Sequence, residues 1–411
     1  MDKLLTRPSI QSFMDSVDSR SRHLLEIVTS HAKHSELELW VVGGTVRDAL
    51  VGHPFIDLDL AVDRNPEMLA EAVASVTQGS IHSEKRFGTA SIVNGNTLID
   101  IATLRTETYT SPGALPKVQL GATIEADLGR RDFNVNALAL ALTGSRSGEF
   151  IDLFDGLADL SHHRFRVLRD DTFEQDATRL WRAARLSVHR DLHPTTSTLA
   201  KIIDGARWIN TISGDRLRAE FTLIAERGRA ARTLKLLEEW GVIENTSAAL
   251  SLSTQALKVL RYRWRPLPLE RLIAILLAYS EPRARTHALR RLNTSNAINR
   301  TVRDTQLLLS STEADLDCLE TLVDTVHEAR IAARWLDNEQ ELLQDRLDDW
   351  IRTRPHMEAN ELIAEGVEEG PTLSSLLSCL RRGRYLGTLS SVTQARALVR
   401  RHLDRRRIQH D

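Results

Sequence analysis

The sequence predicts an α+β domain followed by an all-helical remainder, and three observations predict it. From Leu39 to Thr103, short apolar runs of strand length alternate with segments of helical spacing. From about Asp171 onward strand signals vanish and helical spacing continues nearly to the end. The chain has 411 residues, ample for two or more domains, and its 42% hydrophobic and 27% charged content is that of an ordinary globular protein.

Residues 1–21 read as a polar leader. Leu24, Leu25, Ile27 and Val28 then recur at helical spacing. Leu39-Trp40-Val41-Val42 is an apolar run long enough for one buried strand. Gly43-Gly44 breaks it, Arg47-Asp48-Ala49-Leu50 begins a short helix, and Gly52 and Pro54 end that helix. A second strand covers Phe55 to Val62. Pro66 stands at a first helical position and opens a helix through Val73. Ile81–Ser83 and Thr89–Val93 read as strands, Asn94-Gly95 as a hairpin turn, and Leu98–Thr103 as the return strand. Arg105-Thr106-Glu107 starts a polar loop through Pro116. Asp155-Gly156 is a turn, His162 and His163 read as solvent-facing, and Trp240-Gly241 marks a helix end.

Strand residues two apart point to one side, so Asp57 and Asp59 share a face while Ile56, Leu58 and Leu60 share the other. Paired carboxylates repel, and a divalent cation between them is the usual reason for the pair. Mg²⁺ favours one or two carboxylates plus phosphate oxygens. Gly43-Gly44 before a helix start lets backbone N–H groups approach a triphosphate, with Arg47 adding charge. Asp100 is a third carboxylate and a candidate base for a sugar hydroxyl if it shares that face; otherwise it is a strand-end acid in solvent. Arg130-Arg131-Asp132 beside such a pair suggests a triphosphate clamp, since arginine offers planar bidentate donors. Asp132 is suited to orienting an arginine or to accepting from a ribose, and Asn136 to meeting the sugar. Further along, Phe173, Ala177, Leu180 and Ala184 form one helical stripe. Asp176, Arg179, Arg182 and Arg185, three residues apart, form a ridge on that helix.

Gly43-Gly44-Thr45-Val46-Arg47-Asp48 with Asp57-Leu58-Asp59 resembles the signature of the class II tRNA nucleotidyltransferases, the family of the CCA-adding enzymes and bacterial poly(A) polymerases. Arg130-Arg131-Asp132-Phe133 with Asn136-Ala137 resembles the family's next motif. The resemblance covers roughly residues 22 to 245. It implies a polymerase-beta-like head over 22–147, a neck with a nucleotide-selecting helix over 148–225, and an elongated helical body and tail that grips tRNA over 226–411. Asp57 and Asp59 would hold the metal. Gly43, Gly44, Arg47, Arg131, Asp132, Asn136, Asp176, Arg179, Arg182 and Arg185 would bind the nucleotide. Gln175-Asp176-Ala177-Thr178-Arg179 lies where the family selects the incoming base, with Gln175 replacing the usual acid. By that resemblance Asp176 would accept from the exocyclic amine of cytosine or adenine, and Arg179 would donate to a ring nitrogen or to cytosine's carbonyl. Ser213–Phe221 is similar to the last neck motif and is taken as architecture.

The implied activity is template-independent, Mg²⁺-dependent addition of C and A from CTP and ATP to the tRNA 3′ end. An A-adding enzyme matches about as well. A CC-adding enzyme is disfavoured by the presence of the Tyr109–Pro116 loop, and a poly(A) polymerase by the lack of a strongly basic tail. A catalytically silent tRNA-binding protein has no reason to keep a repelling acid pair facing RNA. An enzyme that modifies small molecules is disfavoured by the long helical tail and by Asp176 with Arg179. Net charge is only −2, so RNA contact must come from local clusters. Lys258, Arg261, Arg263 and Arg265 with Tyr262 and Trp264 form one, Arg381, Arg382 and Arg384 with Tyr385 a second, and Arg400, Arg401 and Arg405–Arg407 a third. Two cysteines, Cys318 and Cys379, make no disulfide framework. With no signal-peptide pattern and no membrane-length apolar run, the cytoplasm is the expected location. The oligomeric state is left open.

Overall fold

The computed structural model describes residues 5–410 except 56, 96, 262–264, 312–315, 323–324 and 338–340. The chain divides into two compact units, one built on Met1–Leu252 with Thr286–Asn293, the other on Pro266–Arg285 and Thr294–Asp411.

The first unit is organised on a seven-stranded sheet. β1 (Leu39–Val42) is buried on both faces. Gly43 follows with φ +71°, a left-handed turn that glycine adopts without strain, and launches α3 (Gly44–Val51), after α1 (Ile10–Ser16) and α2 (Ser19–His34). Gly52, also left-handed, stops α3. β2 (Asp57–Val62) returns antiparallel to β1, pairing Trp40 with Ala61. Then come α4 (Pro66–Thr77), β3 (Ser80–Glu84), β4 (Thr89–Asn94) and β5 (Thr97–Thr103). β5 lies parallel to β2, with Asp59 opposite Asp100. The sheet order is β3-β4-β5-β2-β1-β8-β9, with β8 (Leu138–Ala141) and β9 (Phe150–Asp152), so it runs past residue 147.

Alternation sorts the two faces. Leu58, Leu60, Ile99 and Ile101 lie on one and are buried, and α4 rests on β4 and β5 with α2 against it. The other face carries Asp57, Asp59 and Asp100 at one end. Towards the other end it carries Trp40, Val42 and Ala61, covered by Ile124 and Leu128 of α5 (Ile124–Gly129). Apolar packing fixes the strands, and the acids are left at the end that the helices do not cover.

The structure departs from the sequence reading at four places. The polar leader contains α1, capped by Ser9 with Ser12 in return, and buries Phe13 and Val17. A single buried Phe with a capping box is too short a signal for periodicity to register. Arg105-Thr106-Glu107 is not loop. β6 (Arg105–Thr108) pairs with β7 (Lys117–Leu120) as a hairpin of polar strands that show no apolar alternation. β10 (Arg164–Phe165) and β11 (His193–Pro194) form a short parallel pair within the otherwise helical stretch after α6 (Gly156–Ser161). The helix expected through Phe173–Arg185 is broken. α7 (Thr172–Gln175) ends at Asp176, whose backbone is extended at φ −148°, and α8 (Thr178–Arg190) begins afterwards. Asp176 Oδ1 accepts from Thr178 N at 3.0 Å and Thr178 Oγ1 at 2.7 Å, so an acid that satisfies the first N–H of the next helix interrupts the helical run. The apolar stripe survives the break: Phe173, Ala177, Leu180 and Ala184 are all buried. α8 packs on α10 (Gly214–Arg227), after α9 (Thr196–Gly205), through an edge-to-face contact of Trp181 and Phe221 at 4.8 Å.

In the second unit, helices Leu269–Leu277, Asn296–Ser310 and His327–Leu336 pack together. Leu319, Leu322, Leu347 and Trp350 extend that core, and Met357, Leu376, Leu380 and Val399 form another. Two arginines of one expected basic cluster have partners within the unit, while Arg384 is exposed. Arg381 stacks on Trp350 at 4.6 Å and donates to the Thr353 carbonyl at 3.0 Å, while Arg382 pairs with Glu320 at 2.6 Å. Arg400 reaches Glu365 at 3.4 Å. Tyr262, Arg263, Trp264 and the side chains of Arg405, Arg406 and Arg407 lie outside the described residues. Among the described residues no helix is long and apolar enough to cross a membrane.

Candidate active site

A cavity of about 520 Å³ opens within the first unit. Its wall brings together Gly44, Arg47, Asp59, Arg131, Asp132, Asn136, Asp176, Arg179, Arg182 and Arg185. Gly43, Asp57 and Asp100 do not line it. Gly43 N–H donates to the Leu138 carbonyl at 3.0 Å, so it is not free for a phosphate. The N–H groups open to a ligand therefore begin at Gly44. Asp57 is exposed two residues along the strand from Asp59, on the same face. Asp100 sits beside Asp59 in register and accepts from Ser91 Oγ.

Thr45, which sequence reasoning passed over, pins the acid strand to α3. Its Oγ1 accepts from Asp59 N at 2.9 Å and donates to the Asp57 carbonyl at 3.3 Å. Burial, with Asp100 and Asp57 nearby, pushes the Asp59 carboxyl above the usual carboxylate range even though Arg131 and Arg47 pull the other way. Such a carboxylate is short of positive charge. With Asp57 on the same strand face it forms a set of hard oxygen donors, which suits a divalent metal.

The cations are held by a relay of alternating charge. Arg47 donates to Asp48 at 2.8 Å and to Asn136, and Asn136 donates to Asp132 at 2.9 Å. Asp132 pairs with Arg182 of α8 at 2.9 Å, and Asp48 accepts from Nε and Nη2 of Arg190, each at 2.9 Å. The relay ties α8 to α3. Burial lowers the Arg47 guanidinium, while Arg182 is raised by Asp132. Asp132 ends below the usual range because Arg182 and Asn136 outweigh its burial. Asp127 does the same for the neighbouring pair, meeting Arg130 at 2.8 Å and Arg131 at 3.0 Å.

Asp176 and Arg179 do not pair with each other. Arg179 is buried and donates to Thr172 Oγ1 at 2.7 Å and to the Arg130 carbonyl at 3.3 Å, with Tyr109 5.9 Å from its guanidinium. Asp176 pairs with Arg216 at 2.6 Å, and Arg185 pairs with Glu220. The Ser213–Phe221 motif, read as architecture, thus supplies partners to two cleft residues. Gln175 accepts from Arg169 at 2.9 Å and donates to Asp171 at 2.6 Å. A Glu there would face Asp171 without that donor, which is a physical reason for the amide in this chain. Arg105, Glu107, Tyr109, Arg130, His189, Arg190 and Arg227 also line the cleft. Arg130 stands in a quoted motif; Arg105, Glu107 and Tyr109 lie two residues apart on β6 and just past it, in a stretch read as loop, and His189, Arg190 and Arg227 stand in no quoted motif.

Gly43→Ala is predicted to impair both fold and activity. Its φ of +71° is unfavourable for a residue with a Cβ, and that Cβ would stand 2.5 Å from Arg131 Nη1. Strain of this kind costs roughly 1–3 kcal/mol. Chemical denaturation should show that loss, and nucleotide titration a weaker triphosphate affinity.

Residues 39–166 match the poly A polymerase head domain, and residues 191–246 match the probable RNA and SrmB-binding site of polymerase A. A CCA-adding enzyme of Lactobacillus delbrueckii is 29% identical over 89% of this chain and 93% of its own. An A-adding tRNA nucleotidyltransferase of Geobacter sulfurreducens is 34% identical over 55% of this chain, and a CC-adding one of Deinococcus radiodurans 36% identical over 50%. Those matches span 26% and 54% of the two relatives' own lengths. In fold, the chain is similar to a CCA-adding enzyme in complex with ATP, with a TM-score of 0.75, 22% identity and coverage of 98% of this chain and 100% of the other. It is also similar to the Thermotoga maritima CCA-adding enzyme complexed with tRNA, with a TM-score of 0.70, 22% identity and coverage of 98% and 100%. With the α+β head, the helical remainder and the motif residues gathered at one cleft, residues 39–166 carry a poly A polymerase head domain, and the chain is similar in sequence to CCA-adding enzymes and A-adding tRNA nucleotidyltransferases and in fold to CCA-adding enzymes.

Proposed function

We propose that this chain adds C and A to the 3′ end of tRNA without a nucleic-acid template. The observation that carries this reading is one cavity walled by Asp59, Arg131, Asp176 and Arg179. A metal-type carboxylate, a phosphate-type cation and a base-edge pair of opposite polarity open onto the same space.

Arg47, Arg131 and the first N–H groups of α3 from Gly44 hold the triphosphate of CTP or ATP. Asp132 orients Arg182, and Asn136 would meet the ribose. Three donors occupy Asp176 Oδ1, leaving Oδ2 to accept from an exocyclic amine. Arg179 donates to the ring nitrogen or carbonyl beside that amine. Uracil and guanine present a carbonyl where cytosine and adenine present the amine, so the carboxylate rejects them. The tRNA 3′ hydroxyl attacks the α-phosphorus, the bond from that phosphorus to the bridging oxygen breaks, and pyrophosphate leaves. Asp100, beside Asp59, takes the hydroxyl proton. Asp57 and Asp59 would hold Mg²⁺, which when bound supplies Lewis-acid activation of the attacking oxygen and neutralises charge on the leaving one. The helical second unit grips the body of the tRNA, and the work belongs in the cytoplasm, where tRNA ends mature.

An A-adding enzyme would use the same groups, and a relative of that name reaches 34% identity. Transcripts ending before CCA, after C and after CC, each offered single nucleotides or CTP with ATP, separate the readings at single-nucleotide resolution. Completion of CCA on all three is expected. One A added only to the CC-ending transcript assigns the A-adding role. Long A tracts assign a poly(A) polymerase. Intact tRNA binding with no incorporation overturns the enzyme reading.

A further inference from the structure

Hydrogen bonds fix the edge of an incoming base, but its flat face also needs a surface, and this cleft is short of one. Most of its wall is arginine and carboxylate. Among the described residues that line it, Tyr109 carries the only phenol ring, and the other apolar or ring-bearing side chains are Pro116, Leu186 and His189. Leu186 and His189 follow Arg179 on α8 by about 10 and 15 Å along the helix axis, at roughly 1.5 Å per residue. The Arg179 side chain turns the other way, to Thr172. Neither residue can lie under a base whose edge Arg179 reads.

Tyr109 is placed where those two are not. The Arg179 guanidinium stands over its ring, 5.9 Å from the centroid, and the ring still borders the cavity. The ring is fixed through its hydroxyl. Tyr109 Oη donates to Glu107 Oε2 at 3.1 Å, and Glu107 Oε1 accepts from Arg105 at 3.2 Å and from Arg130 at 2.7 Å. A tyrosine tied at its hydroxyl presents a fixed apolar face. Because β6 and β7 pair Thr108 with Lys117, Tyr109 and Pro116 are the next opposed positions at the mouth of the hairpin, and both line the cavity. A guanidinium donates in its own plane, so a base hydrogen-bonded to Arg179 shares that plane. The ring on the face side of the guanidinium is then on the face side of the base. We infer that Tyr109, with Pro116 across the hairpin mouth, is the platform on which the incoming cytosine or adenine stacks. The inference rests on the nucleotidyltransferase reading and adds the surface that carries the base.

The test uses the full chain with Mg²⁺ and compares wild type with Tyr109→Phe, Tyr109→Leu and Tyr109→Ala. Equilibrium binding is measured for ATP, for CTP and for ribose 5′-triphosphate, which lacks the base. Y109A should weaken ATP and CTP by roughly tenfold, ATP more than CTP because adenine has the larger ring face, and leave ribose 5′-triphosphate within about twofold of wild type. Y109F keeps the ring and should stay within about threefold for every ligand, with Y109L between Y109F and Y109A. In addition of A to a CC-ending tRNA, the same order should appear in the KM for ATP, with the KM for tRNA unchanged. An equal loss of all the ligands in Y109A, or ATP and CTP bound as tightly as by wild type, would overturn the platform. If the wild type binds nucleotides but adds none to tRNA, the enzyme reading fails, while the comparison of ATP with ribose 5′-triphosphate still decides the platform.

Discussion

Asp59→Asn should reduce nucleotide addition by about three orders of magnitude or more, while the protein becomes more resistant to unfolding. The activity loss follows from removing the cleft-facing member of the acid pair. Metal assistance is worth several kcal/mol at the transition state, and each 1.36 kcal/mol is tenfold in rate. The stability gain follows from the direction of its pKa. Burial, then Asp100 and Asp57, raise the Asp59 carboxyl above its ordinary value. An acid with a raised folded-state pKa binds more protons folded than unfolded across that window, so stability falls as pH rises through it. At neutral pH the ionised carboxylate is a cost that Asn removes. Thermal unfolding at pH 4 and pH 7 should show wild type and D59N close together at the lower pH and apart at the higher. Divalent cation should stabilise the wild type and leave D59N unmoved. A D59N protein with wild-type activity would remove Asp59 from the chemistry.

Asp176→Ala should collapse base choice. The carboxylate is fixed by Thr178 and by Arg216 at 2.6 Å, so its free oxygen presents one acceptor to the incoming base. Without it, kcat/KM for ATP and CTP over that for GTP and UTP should drop by roughly 10²-fold, because no acceptor is left there to tell an exocyclic amine from a carbonyl. The Arg216 guanidinium loses its carboxylate in the same change, which costs about 1–3 kcal/mol of stability. Asp176→Asn keeps the size and adds a donor, and should recover stability better than selectivity. Discrimination ratios unchanged in both variants would assign base choice elsewhere.

Several parts of this site were legible before any coordinates. Strand alternation put Asp57 and Asp59 on one face. The glycine turn and the limits of the following helix came from residue types whose backbone preferences act locally. The local reading failed where a partner distant in sequence decides. The 105–120 hairpin is made of polar strands that only their mutual pairing stabilises. Asp176 looks helical by spacing, yet its side chain ends one helix and begins another. Spacing does not show that Arg381 stacks on Trp350 or that Arg382 pairs with Glu320.

By itself the sequence determined the kinds of element, the apolar faces and the inventory of acids and arginines, because those depend on neighbours within a turn or two of the chain. Tertiary structure decided which of the charges stand together. The parallel pairing of β2 with β5 set Asp100 beside Asp59. The Asp132–Arg182 and Asp48–Arg190 pairs tied α8 to α3. The same packing set Arg227 on the cleft wall with no carboxylate partner among the described residues. Coulomb energy depends on separation and burial, and neither exists until remote segments have packed.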